Sequence, residues 1–178
     1  MDDSLVRWAE RAAQVGATPF DAAEGTRHLA ALWAGGRGAF DAEGLQRLAG
    51  HLQFARIRAD QRLIQQDEAG DFMLIVLDGT VAVERADRAS SGRRGARLAE
   101  ARPGDVLGEM ALLDAGPRVS DCRTRTDCIV AILEMDALAR LMKEDAHLAL
   151  VLLAALARRL SLRLRQVSAR LSALLSDV

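Results

Sequence analysis

The sequence predicts an α+β protein in which a closed or double-layered antiparallel β domain lies between two helical segments. Apolar residues recur at helical spacing in residues 1–50, at strand spacing in residues 51–134, and again at helical spacing in residues 135–178. A chain of 178 residues is long enough for one ordinary domain with attached helices but short for two independent domains. We therefore expect one β core with an N-terminal helical extension and C-terminal helices.

The composition is that of a globular protein without a dominant charge. Half of the residues are hydrophobic, and 24 Lys and Arg residues balance 25 Asp and Glu residues, so no overall field would attract nucleic acid or an anionic membrane. The acidic N-terminus lacks the basic and apolar parts of a secretory signal, and the most apolar run, residues 148–157, is about half of the ~20 residues that a spanning helix needs. Cys122 and Cys128 form no CxxC or Cys/His cluster, which indicates reduced, half-buried thiols in a cytoplasmic protein.

Three short helices are predicted in the N-terminal extension. Glycines at Gly16 and at positions 35, 36 and 38 separate them. The apolar positions at helical spacing are Leu5, Trp8, Ala9 and Ala12 in the first helix, Leu29, Leu32 and Trp33 in the second, and Leu45 and Leu48 in the third.

The β domain opens with the clearest strand signals. Residues 72–77 and 80–83 are apolar or alternating, and Asp78-Gly79 between them is typical of the tight turn of an antiparallel hairpin. Residues 85–97 are polar and glycine-rich, which predicts a mobile hairpin loop. Further strands are expected near Val106, over residues 119–124 and over residues 128–133.

The C-terminal segment predicts a short helix followed by a long one. Asp136 and Asp145 stand where they could cap the two helices. The long helix carries a nearly heptad apolar seam at Leu153, Leu156, Leu160, Leu164, Val167, Leu171, Leu174 and Val178, with Arg158, Arg159, Arg163, Arg165 and Arg170 on the opposite face. Because one small domain cannot cover such a seam, we expect a partner helix, most simply a second copy of the chain.

The connection from Gly108 to Ser120 carries the candidate site. It predicts one helical turn over residues 109–113, with Glu109 at its start and Arg118 after it. The start of a helix favours an anion, arginine grips phosphate oxygens in pairs, and a carboxylate can accept a sugar hydroxyl. These parts suit a phosphate attached to a ribose. The alternative is a first-turn acid that stabilises the helix dipole and a solvated arginine.

Residues GDVLGEMALL (104–113), followed by Pro117-Arg118, closely resemble the phosphate-binding cassette of the cyclic nucleotide-binding domain family. This family includes the catabolite activator protein, the regulatory subunits of cyclic-AMP-dependent protein kinase and nucleotide-gated channels. Residues 63–83 look like the strand, turn and Gly-x-Val strand of the family, and residues 129–160 look like its last strand and following helices. The resemblance implies an antiparallel β-roll, a double-stranded β-helix of jelly-roll type, with its cassette at residues 104–120.

The resemblance also implies roles for individual residues. Glu109 matches the acid that receives the ribose 2′-hydroxyl, and Arg118 matches the arginine that pairs with the cyclic phosphate. Gly108 matches the glycine that lets the backbone come close, and Met110 and Ala111 would add backbone N–H groups. The ligand's base would lie near Phe72 under the long helix, where Arg163 and Leu164 fall near the capping position.

The chain departs from the family pattern just after the arginine, where the order is Val119-Ser120-Asp121. By the resemblance, Val119 and Ser120 would adjoin the ligand, and Val119 lacks the hydroxyl that would help to hold guanine, which favours cyclic AMP over cyclic GMP. Asp121 would weaken anion binding by like-charge repulsion unless its side chain points away from the pocket. Strand alternation places Asp121 and Val119 on one face and Ser120 on the other, without showing which face meets the ligand. Asp67 stands where a turn glycine is usual.

These observations predict a stand-alone cytoplasmic sensor that binds cyclic AMP or a related cyclic nucleotide and signals to a protein partner by helix rearrangement. Many bacterial relatives continue into a helix-turn-helix domain, but this sequence stops at Val178, so we expect no sequence-specific DNA binding. His28, His51 and His147 are scattered, with no nucleophile or metal-ligand spacing, so we expect neither an enzyme nor a cofactor. Two alternatives remain: a ligand-free dimerisation or protein-interaction module with a degenerate pocket, and a receptor for a cyclic dinucleotide such as cyclic di-GMP.

Overall fold

The computed structural model describes residues 5–33, 40–85 and 96–176. The helices are α1 (Trp8–Gln14), α2 (Ala22–Trp33), α3 (Ala42–Ala49), α4 (Glu109–Asp114), α5 (Met135–Glu144) and α6 (Ala146–Ser176). The strands are β1 (Thr18–Pro19), β2 (Gln53–Ile57), β3 (Arg62–Ile64), β4 (Phe72–Asp78), β5 (Val81–Arg85), β6 (Ala96–Ala101), β7 (Val106–Leu107), β8 (Asp121–Thr124) and β9 (Cys128–Glu134). The predicted N-terminal helices are present, and β1 is a short strand that the sequence did not indicate.

Two antiparallel sheets form the β domain. One has the strand order β1-β2-β9-β4-β7 and the other has the order β3-β8-β5-β6. The sheets enclose a shared apolar interior, which is the layered arrangement that an antiparallel β-roll requires. The predicted α+β class, with an antiparallel β-roll and a long C-terminal helix, is confirmed.

The predicted hairpin between residues 72–77 and 80–83 is wrong. Strand β4 pairs with β7 and β9, whereas β5 pairs with β6 and β8 in the other sheet. Gly79, at φ +85°, turns the chain between the sheets, and a Cβ there would lie 2.3 Å from the carbonyl oxygen of Asp127. The tight turn was predicted correctly, but it joins two sheets. Residue spacing around a turn does not predict whether the two flanking strands pair with each other. The ends of the expected loop at 85–97 are the paired strands β5 and β6, and residues 86–95 lie outside the described residues.

The five-stranded sheet is buried on both faces. One face contacts the interior of the roll, and the other contacts a second core formed with α2, α3, α5 and α6. This explains why β4 and β9 are continuous apolar runs rather than alternating strands. Cys122 and Cys128 are fully buried in the roll, not half-buried as predicted, because both belong to this interior.

Of the two predicted helix caps, Asp145 is confirmed and Asp136 is wrong. Asp145 caps α6, since its Oδ1 accepts the backbone N–H of Leu148 at 3.0 Å. Asp136 is not the cap of α5, because that helix already begins at Met135 after Glu134, which leaves Asp136 in the first turn. Among the described residues, no helix combines the length and the apolar character that crossing a membrane requires.

Candidate functional site

The candidate site begins where β7 ends and the chain turns into α4. Gly108 is in the left-handed region at φ +78°, and α4 starts directly after it at Glu109. The helix has only six residues and ends at Ala115, also left-handed at φ +55°. Such a short helix contributes little dipole, so positive charge at this site depends on arginine side chains.

Arg118 is buried without a carboxylate partner. Its side chain lies inside the protein, with the residue only 4% exposed. Nη1 donates to the carbonyl oxygen of Gly108 at 2.8 Å, Nη2 donates to that of Phe72 at 2.7 Å, and the guanidinium lies 4.7 Å from the centre of the Phe72 ring. No carboxylate of the described residues forms an ion pair with it, and burial lowers the pKa of the guanidinium. The structure thus holds a fixed cation that backbone dipoles and a ring stabilise only in part.

Two glycines make room for this guanidinium. A Cβ on Gly108 would lie 2.6 Å from Nη1, and a Cβ on Gly70 would lie 2.7 Å from Nη2. Backbone therefore touches the cation on both sides, which fixes its position more closely than flexible side chains would.

Glu109 is also buried, and it contacts the long helix. Its Oε1 accepts a hydrogen bond from Nη1 of Arg163 at 3.0 Å. One turn earlier on α6, Arg159 donates to the carbonyl oxygen of Gly104 at 2.8 Å and stacks 5.1 Å from the ring of Trp33. Arg159 and Arg163 therefore lie on the inner side of α6, which corrects the prediction that the arginines form one face opposite the apolar seam.

A cleft of about 180 Å³ lies between the cassette and α6. Charged and polar groups from both elements line it, together with apolar side chains. Its lining residues are Asp105, Val106, Glu109, Leu156, Arg159, Leu162, Arg163 and Gln166. The cleft gives a ligand at Glu109 direct contact with the long helix.

Strand β8 and the residues before it resolve which face meets the site. Ser120 and Cys122 are buried on the inner face, and burial raises the pKa of the Cys122 thiol to about 12, while Arg118 and Glu109 both act on it electrostatically. Val119 is 54% exposed. Asp121 is on the outer side with Val119, and its Oδ1 accepts the backbone N–H of Gln66 at 2.8 Å. The Asp121 carboxylate is thus occupied away from the buried face.

The structure brings some of the predicted site residues together and leaves others apart. Around Arg118 and Glu109, Ala111, Ser120 and Phe72 are buried and Gly108 is half-buried, whereas Met110, Val119 and Leu164 are exposed. The guanidinium of Arg118 and the indole of Trp8 pack against the Phe72 ring, and the expectation that a base lies near Phe72 stays a prediction. Leu164 is 66% exposed, and its expected place near the capping position stays a prediction.

Sequence reasoning missed several residues around Arg118. Asp71 is buried, its Oδ1 finds no hydrogen-bond partner among the residues described, and burial raises its pKa although Arg7 and Arg118 act in the opposite direction. Cys122 could have been found from its alternation with Ser120. Trp8 and Glu68 could not, because their contacts join segments far apart in the chain and no local pattern signals them.

Comparisons with known proteins give a consistent result. The chain is 35% identical over 95 residues to the CRP-like cAMP-activated global transcriptional regulator of Mycobacterium tuberculosis, covering 53% of this chain and 41% of that protein. It is 34% identical over 79 residues to the cGMP-dependent protein kinase egl-4 of Caenorhabditis elegans, covering 44% of this chain and 9% of the kinase. The chain thus spans well under half the length of these relatives.

A crystal structure of a cyclic nucleotide-binding domain from Methylobacillus flagellatus matches more of the chain. The TM-score is 0.70 at 25% sequence identity, and the match covers 84% of this chain and 81% of that one. The family model described as the cyclic nucleotide-binding domain matches residues 54–145, just over half of the chain, including β4, the cassette, Glu109 and Arg118. The chain therefore belongs to the cyclic nucleotide-binding domain family.

Proposed function

We propose that this protein is a cyclic nucleotide sensor in which Arg118 binds the cyclic phosphate and Glu109 binds the ribose 2′-hydroxyl, with cyclic AMP as the preferred ligand. The observation that carries the proposal is the buried guanidinium of Arg118, which forms no ion pair with any residue that the structure describes. Removing a cation from water costs several kcal/mol unless an opposite charge compensates for it. A phosphate supplies that charge.

The geometry around Arg118 suits an anion that enters from the cassette side. A guanidinium has five N–H groups, and the carbonyl oxygens of Gly108 and Phe72 each accept one. Donors therefore remain for phosphate oxygens, and the backbone N–H groups at Met110 and Ala111 are the nearest candidates to complete the phosphate site. Because the guanidinium is already fixed, little conformational entropy would be lost on binding.

Glu109 connects the ligand to the long helix. An ionised carboxylate has about four acceptor positions, so its contact with Arg163 leaves room for a ribose hydroxyl. A ligand at Glu109 would therefore alter the local contacts of Arg163 and change how α6 packs on the β-roll. We propose that this rearrangement is the signal and that a protein partner receives it, with a coupling free energy of about 1–3 kcal/mol.

The choice of cyclic AMP rests on Val119, which has no hydroxyl to offer guanine. The two curated relatives, one named as cAMP-activated and one as cGMP-dependent, are nearly equally similar at 35% and 34% identity, so overall similarity does not decide the ligand. The bond from the Gln66 backbone to Asp121 removes the main reason for treating the pocket as a relic, since that carboxylate does not oppose the phosphate.

We further propose that the protein is a cytoplasmic homodimer that pairs through α6, and that it is a binding protein rather than an enzyme. Free buried cysteines suit a reducing compartment. Apolar residues in the second half of α6, among them Leu164, Val167 and Leu171, are exposed and suit contact with a second copy.

Calorimetric titration of refolded, nucleotide-free protein with cyclic AMP, cyclic GMP and cyclic di-GMP tests the proposal. We expect micromolar binding of cyclic AMP, about −8 kcal/mol, and a loss of about 100-fold in affinity for Arg118→Ala. Arg123→Ala is the matched control, because Arg123 lies on β8 but bonds Asp60 on the exposed side. Tighter binding of cyclic di-GMP would reassign the ligand. No heat with any of the three, from folded protein, would overturn the proposal and leave an interaction module.

A further inference from the structure

The segment from Asp67 to Phe72 lies between helix α1 and Arg118. On one side its backbone and the Phe72 ring contact Arg118, and on the other it contacts the N-terminal residues Val6 to Arg11. The family match begins at residue 54, so α1 lies outside the matched region. The second layer of contacts around the arginine is therefore supplied by a part of the chain to which the match assigns no role.

The contacts with Arg118 are mostly backbone contacts. The N–H of Asp67 donates to the carbonyl oxygen of Arg118, and the N–H of Arg118 donates to that of Glu68, both at 2.8 Å. Nη2 of Arg118 bonds the carbonyl oxygen of Phe72, and the guanidinium lies against the Cα of Gly70. The position of the guanidinium thus depends directly on the position of this segment.

Helix α1 and the residues before it contact the segment from Asp67 to Phe72 on the side that faces away from Arg118. Trp8 packs on Phe72 with ring centres 5.5 Å apart and an angle of 67° between the rings, and Arg11 forms an ion pair with Glu68. The N–H of Val6 donates to the carbonyl oxygen of Ala69 at 3.0 Å. Trp8 and Arg11 are both buried, so these contacts exclude water from the interface.

The Arg11–Glu68 pair is a costly way to achieve packing alone. Burying an ion pair is often no more stabilising than apolar packing, and Nε of Arg11 has no hydrogen-bond partner within the described part of the chain. What a charged pair adds is a defined register between the two elements. Here it fixes α1 against the residue whose carbonyl oxygen bonds the backbone of Arg118.

We infer that α1 is part of the ligand site, with Trp8 and Arg11 as positioning residues for the phosphate-binding arginine. Trp8 supports the ring on which the guanidinium stacks, and Arg11 supports the backbone that holds Arg118. The inference rests on the proposed function, since it assigns α1 a role in binding the same ligand. By reciprocity, ligand binding at Arg118 stabilises the docking of α1, which makes this helix responsive to the ligand.

A double-mutant cycle on the full chain tests the inference with the cyclic nucleotide that binds the wild type most tightly. We expect Trp8→Ala and Arg11→Met each to weaken binding about tenfold. In an Arg118→Lys background, Arg11→Met should have little further effect, because the positioned group is gone. In a Glu109→Gln background it should keep its full effect. A merely structural role would add equally in both backgrounds.

The controls separate positioning from general damage. Arg47→Met removes ion pairs with Glu43 and Asp145 far from the cassette and should leave affinity unchanged. If Trp8→Ala fails to fold, Trp8→Phe and Arg11→Met carry the test. Wild-type affinity in Arg11→Met, or equal losses in both backgrounds, overturns the inference while the proposed function stands. A wild type that binds no nucleotide overturns both.

Discussion

At the scale of single residues, the position of the Arg118 guanidinium depends on two glycines that have no Cβ. Gly108 combines a positive φ with close contact to the guanidinium of Arg118, whereas Gly70 makes the contact without a positive φ. Gly16 has a positive φ of +61° and open space around its Cα. The three glycines therefore separate backbone strain from crowding of the arginine.

Alanine substitutions at these glycines should have different effects. We expect Gly70→Ala to weaken cyclic nucleotide binding about tenfold, because a methyl group displaces the guanidinium, and to lower stability through the disturbed hydrogen bonds of Arg118 rather than through left-handed strain. Gly16→Ala should lower the free energy of unfolding by about 1 kcal/mol through left-handed strain and leave affinity unchanged. Gly108→Ala should do both. Calorimetry and urea unfolding measure the two quantities, and unaltered affinity in Gly70→Ala would contradict the assigned position of Arg118.

The sequence identified the charged residues of this site but not the residues that pack around them. Glu109 and Arg118 were predicted from residue type and from resemblance. The burial of Arg118 against Phe72 and Gly70 was not, because these contacts join residues distant in sequence. Spacing along the chain carries no information about which backbone carbonyl a guanidinium will reach.

At the scale of elements, the sequence predicted the strands of the roll more reliably than their partners. Residues 72–78 and 81–85 form strands close to the expected bounds, yet they belong to different sheets. Alternation and turn residues report local backbone shape, whereas pairing depends on burial of both faces of β4 between two cores. The domain boundaries predicted at residues 50 and 134 stay predictions.

The ionised Asp145 cap of α6 should make the stability of the protein depend on pH. The Leu148 N–H bond and Arg47 hold the pKa of Asp145 below its ordinary value of 3.8. A depressed folded pKa gives stability that is present above the unfolded pKa and is lost as pH falls through the folded pKa. Asp145→Ala should therefore lower Tm at neutral pH, with a deficit that shrinks once the pH falls below 3.8.

Thermal unfolding followed by circular dichroism at both pH values measures this effect. Asp145→Asn should recover part of the neutral-pH loss, since an amide still accepts the N–H bond. Asp136→Ala is the matched control, because Asp136 is an exposed first-turn residue of α5 and not its cap. A Tm deficit in Asp145→Ala that stays constant with pH would contradict the role of the ionised cap.

At the scale of the whole molecule, α6 is longer than the domain that it covers. Its 31 residues extend roughly 46 Å, and its first half buries Leu148, Leu152 and Leu156 in the second core. Farther along, apolar residues remain exposed although they continue the seam that the sequence predicted. Arg159 and Arg163 of the same helix contact Gly104 and Glu109, and Val167 follows Arg163 by one helical turn, so the exposed seam begins directly beyond the residues that contact the cassette.

The exposed seam predicts a dimer that depends on the second half of α6. Leu164, Val167 and Leu171 are 66%, 56% and 56% exposed, and burying them against a second copy would remove apolar surface from water. We expect the wild type to sediment as a dimer, and Leu164→Glu combined with Val167→Glu to sediment as a monomer, because four carboxylates would meet in the interface. Leu162→Glu should stay dimeric, since Leu162 is equally exposed but lies on the opposite side beside the cleft. A wild type that is monomeric at its highest soluble concentration would exclude self-association through α6. Dissociation by Leu162→Glu as well would show that the two copies meet through another side of the helix.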